Sequence, residues 1–334
     1  MRCWAVAFMA VFFVVAGSAR ADETTLIFAT DGPPDTHMAV RVFHPWSDHV
    51  NEIAKGILKL DVRDGMSIVN PTNFYNRVLE DVVQISWGSI GNLAGTFPLT
   101  EFTALPFQAE RAEDASVAYW RLYKSGLLDR NFKDVVPIMM SIYTQEVVHL
   151  TKPPKSIDTL AGLRIMVVSK TASNLISRLG GSPSSIPLPD LYSALQHGTL
   201  DGTLIAWTAF QPYRLAEVTS YHYETQLGAS PGMVFMARKR YDALPPAVRK
   251  IIDENSGEAI SRQLGKALDE LSEEARLKAK AQPNQVDVFA SEAQAAKWRE
   301  LTAPVTAAWV KDTPGGDKVL STFRQILADV KAGK

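Results

Sequence analysis

The sequence predicts an α/β protein in which helices pack against parallel strands. The clearest sign is the segment 162–202, where short apolar runs alternate with stretches of helical periodicity and small residues stand at each turn. Residues 163–168 form the apolar run of a strand buried on both faces, and residues 171–179 have the spacing of a helix that ends at Gly180-Gly181. Asp190 is a candidate N-cap for a second helix, and another strand begins at Thr199.

The length and composition of the chain predict two lobes. A chain of 334 residues exceeds the usual size of a single hydrophobic core. No repeat and no Gly/Ser/Pro-rich linker divides the sequence. We therefore expect two lobes that the chain crosses several times, connected by a hinge, and not two domains on a flexible tether.

The amino terminus has the pattern of a cleavable signal peptide over residues 1–21. Arg2 precedes an apolar run over residues 4–16, and Ala19-Arg20-Ala21 has the A-x-A form of a cleavage site. A membrane anchor is the weaker alternative, because the run is shorter than the ~20 residues that span a bilayer. Cys3 is the only cysteine, so the mature protein is expected in the periplasm without thiol chemistry or a lipid anchor.

Composition and motifs argue against several classes of function. The 35 basic and 36 acidic residues give a formal net charge of −1, which does not favour nucleic acid or a polybasic membrane contact. No nucleophile elbow, dinucleotide fingerprint or phosphate loop occurs. His37, His44 and His49 are too widely spaced for a helical zinc pair. We predict no catalytic residue, no metal and no cofactor, and a hydrolase or isomerase is a weak competitor.

The order of elements predicts how the two lobes divide the chain. The first lobe is assigned residues 22–145 with 232–272, and the second lobe residues 146–231 with 273–334. After Pro246 an amphipathic pattern continues to about Lys280 and predicts one long helix. The carboxyl-terminal residues that are expected to pack on the second lobe are Trp298, Val305, Trp309 and Phe323.

Several short motifs resemble one known family in their order and spacing. They are AGLRI from Ala161, LGGSP from Leu179, DLYSALQ from Asp190, GTLDG from Gly198, FPL from Phe97, LPF from Leu105 and MARKRYDALP from Met236. Together they resemble the solute-binding proteins of TRAP (tripartite ATP-independent periplasmic) transporters. The matching landmarks span most of the chain after the predicted signal peptide.

The resemblance implies a function as well as a fold. The implied fold is the two-lobed periplasmic binding protein fold, with one long helix that links both lobes. The implied activity is capture of a small organic acid and its delivery to the membrane permease subunits of a TRAP transporter, by a protein that we expect to be a monomer. A periplasmic binding protein that serves a sensor kinase is the alternative, and the sequence does not separate the two.

One departure from the family pattern affects the expected ligand. The resemblance implies an arginine that binds the ligand carboxylate after the motif GL-x-I, but Met166 stands there. The asparagine expected after the DG motif falls on Leu204 and Ile205, and a second arginine falls around residues 147–149. We therefore predict a mono-acid with an aromatic or apolar body, and keep a neutral or dicarboxylate ligand as the alternative.

Ligands of such sheets bind at the carboxyl ends of strands, which selects the candidate ligand-binding residues. These are His37, Tyr75, Trp87, His149, Met166, Ser169, Trp207 and Phe210. Aromatic rings offer apolar surface, while the histidines and the serine offer hydrogen bonds. Arg41 is expected on the surface, and Arg164 is expected on the same strand face as Met166 but one step away from the cleft; they are the arginines that would act if the ligand were a dicarboxylate.

Overall fold

A computed structural model describes residues 23–93, 95–156 and 158–334. The predicted signal peptide, residues 1–21, lies outside the described residues. The described chain folds into two sheets with helices packed around them, which confirms the predicted α/β class.

The described residues form eleven strands and ten α-helices. The strands are β1 (Thr24–Ala29), β2 (Leu58–Arg63), β3 (Ile85–Ser89), β4 (Val135–Ile142), β5 (Val147–Leu150), β6 (Arg164–Met166), β7 (Ser182–Ser184), β8 (Gly202–Ile205), β9 (Tyr221–Glu224), β10 (Pro231–Ala237) and β11 (Val286–Phe289). The helices are α1 (His44–Ile53), α2 (Phe74–Leu79), α3 (Ala112–Lys124), α4 (Lys170–Arg178), α5 (Leu191–Gln196), α6 (Arg238–Asp242), α7 (Pro246–Glu254), α8 (Glu258–Lys280), α9 (Glu292–Asp312) and α10 (Gly316–Lys331).

Each sheet is the centre of one lobe. The first has the strand order β2-β1-β3-β10-β4, and the second has the order β11-β9-β5-β8-β6-β7. Strands joined through helices are parallel, as in the pairs of β1 with β2 and of β6 with β8. β10 and β5 are antiparallel to both of their neighbours, so the sheets are mixed and not purely parallel as predicted. These two strands are the ones that the chain enters directly from the other lobe.

Two segments connect the lobes and pair with each other. Residues 143–146 lead from β4 to β5, and residues 225–230 lead from β9 back to β10. The Tyr143 N–H donates to Ser230 O at 2.9 Å, and the Glu146 N–H donates to Gly228 O at 2.7 Å. We call these two segments the crossing pair.

α8 contacts both lobes, as the family resemblance implied. Leu264 and Leu268 pack in the core of the first lobe, while Ala275 and Ala279 pack in that of the second. The predicted single helix from Pro246 to Lys280 is wrong, because the chain is broken between α7 and α8. Gly257 adopts a φ of 114° and its N–H donates to Ile138 O at 2.9 Å, so the break docks the start of α8 on β4.

The carboxyl-terminal helices pack on both lobes, which corrects the prediction that they cover the second alone. Trp298 packs edge-to-face against Tyr223 of the second sheet, with ring centroids 4.8 Å apart. Val305, Trp309 and Phe323 belong instead to a core cluster of the first lobe. α9 has 21 residues and is therefore about 30 Å long, enough to reach from one lobe to the other. The predicted domain boundaries stay a prediction.

None of the helices in the described part of the chain combines the length and the apolar character that a transmembrane span requires.

Replacing Gly228 by alanine is expected to destabilise the fold by about 3 kcal/mol or more. Its φ is 100°, and an added Cβ would collide with the backbone carbonyl of Ala104. Gly198→Ala is the matched control, because Gly198 also has a positive φ (67°) but no neighbouring atom within 4 Å. That variant should lose only about 1 kcal/mol in urea unfolding. Equal losses in the two variants would contradict the predicted collision.

Candidate ligand-binding cleft

A cleft of about 800 Å³ lies between the lobes. Its wall is built from the loop after β1, the carboxyl end of β3, the crossing pair, the segments after β6 and β8, and one face of α8. A volume of this size is in the range of small-molecule sites. The cleft therefore lies where both lobes and both crossing segments can contact one ligand.

Three aromatic rings form a continuous part of the cleft wall. Phe43, Trp87 and Tyr143 all line it. The ring centroids of Trp87 lie 5.4 Å from those of Phe43 and 5.8 Å from those of Tyr143. Such spacing is that of packed aromatic pairs, which hold one another in place while offering ring edges and faces to a ligand. We call this group the aromatic wall.

A short π-helix brings a cation to the cleft. The chain is wound as a π-helix over Ala39–Phe43, and the His44 N–H donates to Ala39 O. Pro45 follows and has no N–H to donate to the carbonyl of Arg41, which explains why regular α-helical bonding is interrupted here. The exposed side chain of Arg41 lines the cleft. Among the described residues it has no hydrogen-bonding or ion-pair partner.

The other basic side chains of the cleft lie beside acids of α8. His37 Nε2 is 3.7 Å from Glu270 and its Nδ1 is 3.5 Å from Glu274. Lys278 Nζ is 2.6 Å from Glu274 Oε1, within one turn of the same helix. The charge of Lys278 is thus partly balanced within the protein and His37 lies beside two carboxylates, whereas no described acid pairs with Arg41.

Two acids and two phenols of the cleft wall have raised pKa values. Burial raises the pKa of Asp31, and it raises the pKa of Glu146 to about 7. Burial also raises the pKa of Tyr143 and raises that of Tyr213 to about 12. Glu146 Oε1 accepts a hydrogen bond from Ser230 Oγ at 3.0 Å, whereas its Oε2 has no partner in the described part of the protein.

The place where the family resemblance implied an arginine is filled by apolar packing. Met166 is fully buried, and its sulfur lies 3.6 Å from Thr203 Oγ1. Trp207 and Phe210 are also buried, with ring centroids 4.4 Å apart. His149 lies 4.6 and 4.4 Å from these two rings. None of these four side chains is part of the cleft wall, in contrast to their prediction as ligand-binding residues.

Hydrogen bonds inside the protein account for the polar atoms of this cluster. His149 Nε2–H donates to Ile205 O at 3.1 Å, and its Nδ1 lies 2.9 Å from Nδ1 of His222. Burial lowers the pKa of both histidines, so neither ring is a stable cation here. Trp207 Nε1–H donates to Glu224 Oε1 at 2.6 Å, and burial raises the pKa of Glu224 to about 7. The cluster has a structural role in the second lobe.

Two further candidates lie away from the cleft. Tyr75 stacks on Phe235 with centroids 5.7 Å apart and packs against the core of the first lobe. Ser169 is the N-cap of α4, where its Oγ accepts from the Ala172 N–H at 3.0 Å. Arg164, the alternative to Arg41, is held by Asp201 at 2.9 Å and lies on the surface.

Of the eight candidates, the structure brings only His37 and Trp87 to the cleft wall. Sequence reasoning missed Phe43, Tyr143 and Glu146. Tyr143 and Glu146 stand directly after β4 and before β5, at a strand end where a search for lining residues could have found them. Nothing in the local sequence indicated that Glu146 is buried. No cluster of metal-ligating side chains occurs within residues 23–93, 95–156 and 158–334.

The profile of one protein family matches nearly the whole described chain. It is described as bacterial extracellular solute-binding protein, family 7 (DctP), and it matches residues 28–312. The chain belongs to this family. Together with the two-lobed fold and the cleft, this makes the protein a solute-binding receptor of the TRAP type, and the family consists of receptors and not of enzymes. TRAP solute-binding proteins are periplasmic and work with membrane permease components.

Solved structures and one curated relative support the assignment of this TRAP receptor. A TRAP solute-binding protein from Rhodoferax ferrireducens, in complex with copurified benzoate, superimposes with a TM-score of 0.84 at 29% identity and covers 93% of this chain and 100% of that chain. A Bordetella bronchiseptica TRAP protein with bound (R)- and (S)-mandelate has a TM-score of 0.81 at 23% identity, with coverages of 92% and 99%. A Comamonas testosteroni protein named outer membrane transporter protein TsaT is 24% identical over 321 residues, 92% of this chain and 93% of that protein.

Installing the missing arginine is expected to unfold this receptor and not to build an anion site. Met166→Arg would place a cation in a fully buried position between β8 and the rings of Trp207 and Phe210. No carboxylate of the described residues would pair with the cation there. We expect a loss of about 3 kcal/mol or more in chemical denaturation. Met166→Leu, which conserves volume, should lose less than about 1.5 kcal/mol. A stable Met166→Arg protein would contradict this account.

The buried carboxyl of Glu146 should make the receptor less stable as the pH rises. Because its folded pKa is above the unfolded value of 4.5, the folded state holds this proton more tightly, and stability is lost between pH 4.5 and about pH 7. Glu146→Gln should remove this loss. The unfolding free energy of the variant relative to that of the parent should therefore rise over that interval by up to about 3 kcal/mol. Urea unfolding at pH 5 and pH 8 measures the difference. The control Glu52→Gln, at an exposed glutamate of α1, should show no such trend.

Proposed function

We propose that this receptor captures a monocarboxylic acid with an aromatic or apolar body and delivers it to a TRAP membrane permease. The observation that carries the proposal is the pairing, in one cleft, of the aromatic wall with a guanidinium that no carboxylate of the described residues neutralises. The relative from Rhodoferax ferrireducens holds benzoate, an acid of this kind, at 29% identity.

Arg41 is the group that we assign to the ligand carboxylate. The basic side chains of the described cleft wall are His37, Arg41 and Lys278, and the first and last of these lie beside Glu274. A planar guanidinium can donate two parallel hydrogen bonds to one carboxylate, and such charge-assisted bonds are the strong ones. The position also fits the π-helix, an arrangement that is frequent at functional sites.

The body of the ligand would lie between the lobes. The aromatic wall belongs to the first lobe and the crossing pair, while Val168, Ile205 and Pro212 present apolar surface from the second. A ligand that is contacted from both sides stabilises the closed arrangement, because only that arrangement makes both sets of contacts. Burial of one aromatic ring contributes a few kcal/mol at ~25 cal/mol per Å².

The remaining parts of the proposal concern location and assembly. We propose that the leader is cleaved after Ala21, that the mature receptor starts at Asp22 in the periplasm, and that it acts as a monomer. The A-x-A pattern supports the cleavage site. The two lobes are joined by the crossing pair and by α8, so that one chain supplies every described group of the cleft wall.

A ligand panel with an Arg41 variant tests the proposal. Benzoate, 3-hydroxybenzoate and (R)-mandelate should raise the melting temperature of the purified receptor, while succinate and malate should not. Arg41→Gln should weaken benzoate binding by about 10- to 100-fold in calorimetry, since a charge-assisted bond is lost. Arg178→Gln, at an exposed arginine of α4 that does not line the cleft, should leave the affinity unchanged.

The outcomes separate the alternatives. Stabilisation by dicarboxylates and not by aromatic acids would overturn the proposed ligand class. Unchanged benzoate affinity in Arg41→Gln would overturn the assignment of Arg41 while leaving the ligand class in place.

A further inference from the structure

We propose that Glu146 is a ligand-binding residue that, in its protonated form, donates a hydrogen bond to the ligand carboxylate, so that capture of the acid is coupled to protonation of this side chain. The inference deepens the proposed function and rests on it, because it requires an acid in the same cleft. It concerns a residue of the crossing pair that neither the sequence motifs nor the family resemblance marks.

Glu146 is a buried side chain held by hydrogen bonds in the cleft wall, and not an exposed surface charge. The residue is 3% exposed and forms part of the cleft wall. One carboxyl oxygen is held by Ser230 Oγ, and Ser230 also lines the cleft. The backbone N–H of Glu146 is fixed to Gly228 O across the crossing pair. The second oxygen, Oε2, is buried and has no partner in the described part of the protein.

Buried polar atoms are nearly always hydrogen-bonded, so an unpartnered carboxyl oxygen in a ligand cleft calls for a partner from the ligand. No lysine, arginine or histidine in the described residues forms an ion pair with Glu146. The other titratable groups of the described cleft wall are Asp31 and Asp35 after β1, His37 and Arg41 before α1, Tyr143 in the same crossing segment, Tyr213 after β8, and Glu274 with Lys278 on α8.

The neutral form of the side chain is therefore favoured at this position. An ionised carboxylate without a cation is heavily penalised by burial, and burial raises the pKa of Glu146 to about 7. An ionised Glu146 would also repel the carboxylate of a bound acid. A protonated Glu146 instead carries one O–H donor, which suits an anionic acceptor.

The proton balance of the binding step follows directly. Below pH 7 the free receptor already carries the proton, and the Glu146 O–H donates to the ligand carboxylate in a short, charge-assisted bond. Above pH 7 the free side chain is ionised, and each bound acid requires uptake of one proton from solvent. A carboxylate has two oxygens, so it can accept from Glu146 and from Arg41 together.

Calorimetry with benzoate between pH 5.5 and pH 8.5 tests the coupling, in buffer pairs of different ionisation enthalpy. Benzoate stays ionised over this range, so its own charge does not change. The Kd should be flat well below pH 7 and weaken about 30-fold by pH 8.5, with proton uptake approaching one per ligand. Glu146→Gln keeps an N–H donor but cannot titrate, and should bind benzoate with a pH-independent Kd and no proton uptake.

Glu224→Gln is the matched control. Burial also raises the pKa of Glu224 to about 7, but this glutamate accepts a hydrogen bond from Trp207 and does not line the cleft. This variant should keep the pH dependence of the parent.

Each contrary outcome has a separate meaning. Binding of benzoate with a pH-independent Kd and no proton uptake in the parent overturns the role of Glu146 and leaves the proposed function intact. An unchanged pH dependence in folded Glu146→Gln, checked by circular dichroism, assigns the proton to another group and also overturns it. If Glu146→Gln does not fold, the proton uptake and the pH dependence of the Kd in the parent and in Glu224→Gln still test the role of Glu146. Loss of this pH dependence in Glu224→Gln would overturn that role. If neither benzoate nor (R)-mandelate binds at any pH, the proposed function fails and this inference fails with it.

Discussion

The pairing of the two segments that cross between the lobes is the constraint on which the cleft depends. Its backbone hydrogen bonds, from Tyr143 to Ser230 and from Glu146 to Gly228, hold two distant parts of the chain side by side. Because these segments lie at the boundary between the sheets, Tyr143, Glu146 and Ser230 line the cleft. Gly228 in the same pairing has no room for a Cβ, because the backbone of Ala104 approaches closely.

The second lobe shows how a family fold can lose its usual anion site without losing its shape. A buried arginine requires a carboxylate partner, and in a receptor without ligand it would remain uncompensated. Here Met166, Trp207 and Phe210 fill that volume with apolar contacts, and the histidines beside them are hydrogen-bonded within the protein. Arg41, a cleft-wall cation with no described partner, lies instead in the first lobe, where solvent reaches it. Under the proposed assignment of Arg41 to the ligand, this arrangement separates the stability of the second lobe from the binding of ligand.

How far the sequence predicted this structure depends on the range of the interactions involved. The strands and helices of segment 162–202 and the missing arginine at Met166 could be found, because periodicity and motif spacing are local properties of the chain. The direction in which Trp207 and Phe210 pack could not, since it is decided by His149 and His222, which lie in other strands. The break at Gly257 likewise depends on a contact with Ile138, more than a hundred residues away.

The site shows the same division. Trp87 and His37 were predicted because strand ends and their following helices are known places for ligands. Glu146 was not, because its burial and its bond to Ser230 exist only when the segment 225–230 lies against it. A glutamate before an apolar strand is an ordinary surface residue in most sequences. Tertiary packing alone makes this one a buried acid.

The distribution of charge over the cleft suggests why the lobes have unequal tasks in the proposed mechanism. Apart from α8, whose Glu274 and Lys278 pair with each other, the described residues that line it from the second lobe are uncharged, among them Thr208, Gln211 and Tyr213. The first lobe and the crossing pair carry Asp31, Arg41 and Glu146.

Under the proposed assignment, an acid first meets its cation on the first lobe, where the guanidinium is still hydrated. Closure of the second lobe then removes water from apolar and amide surfaces, which costs less than burying a further charge. The strength of the carboxylate contact increases as water leaves, because the same hydrogen bonds act in a lower dielectric. Closure by a neutral lobe thus strengthens the contact with the acid without adding a charge of its own.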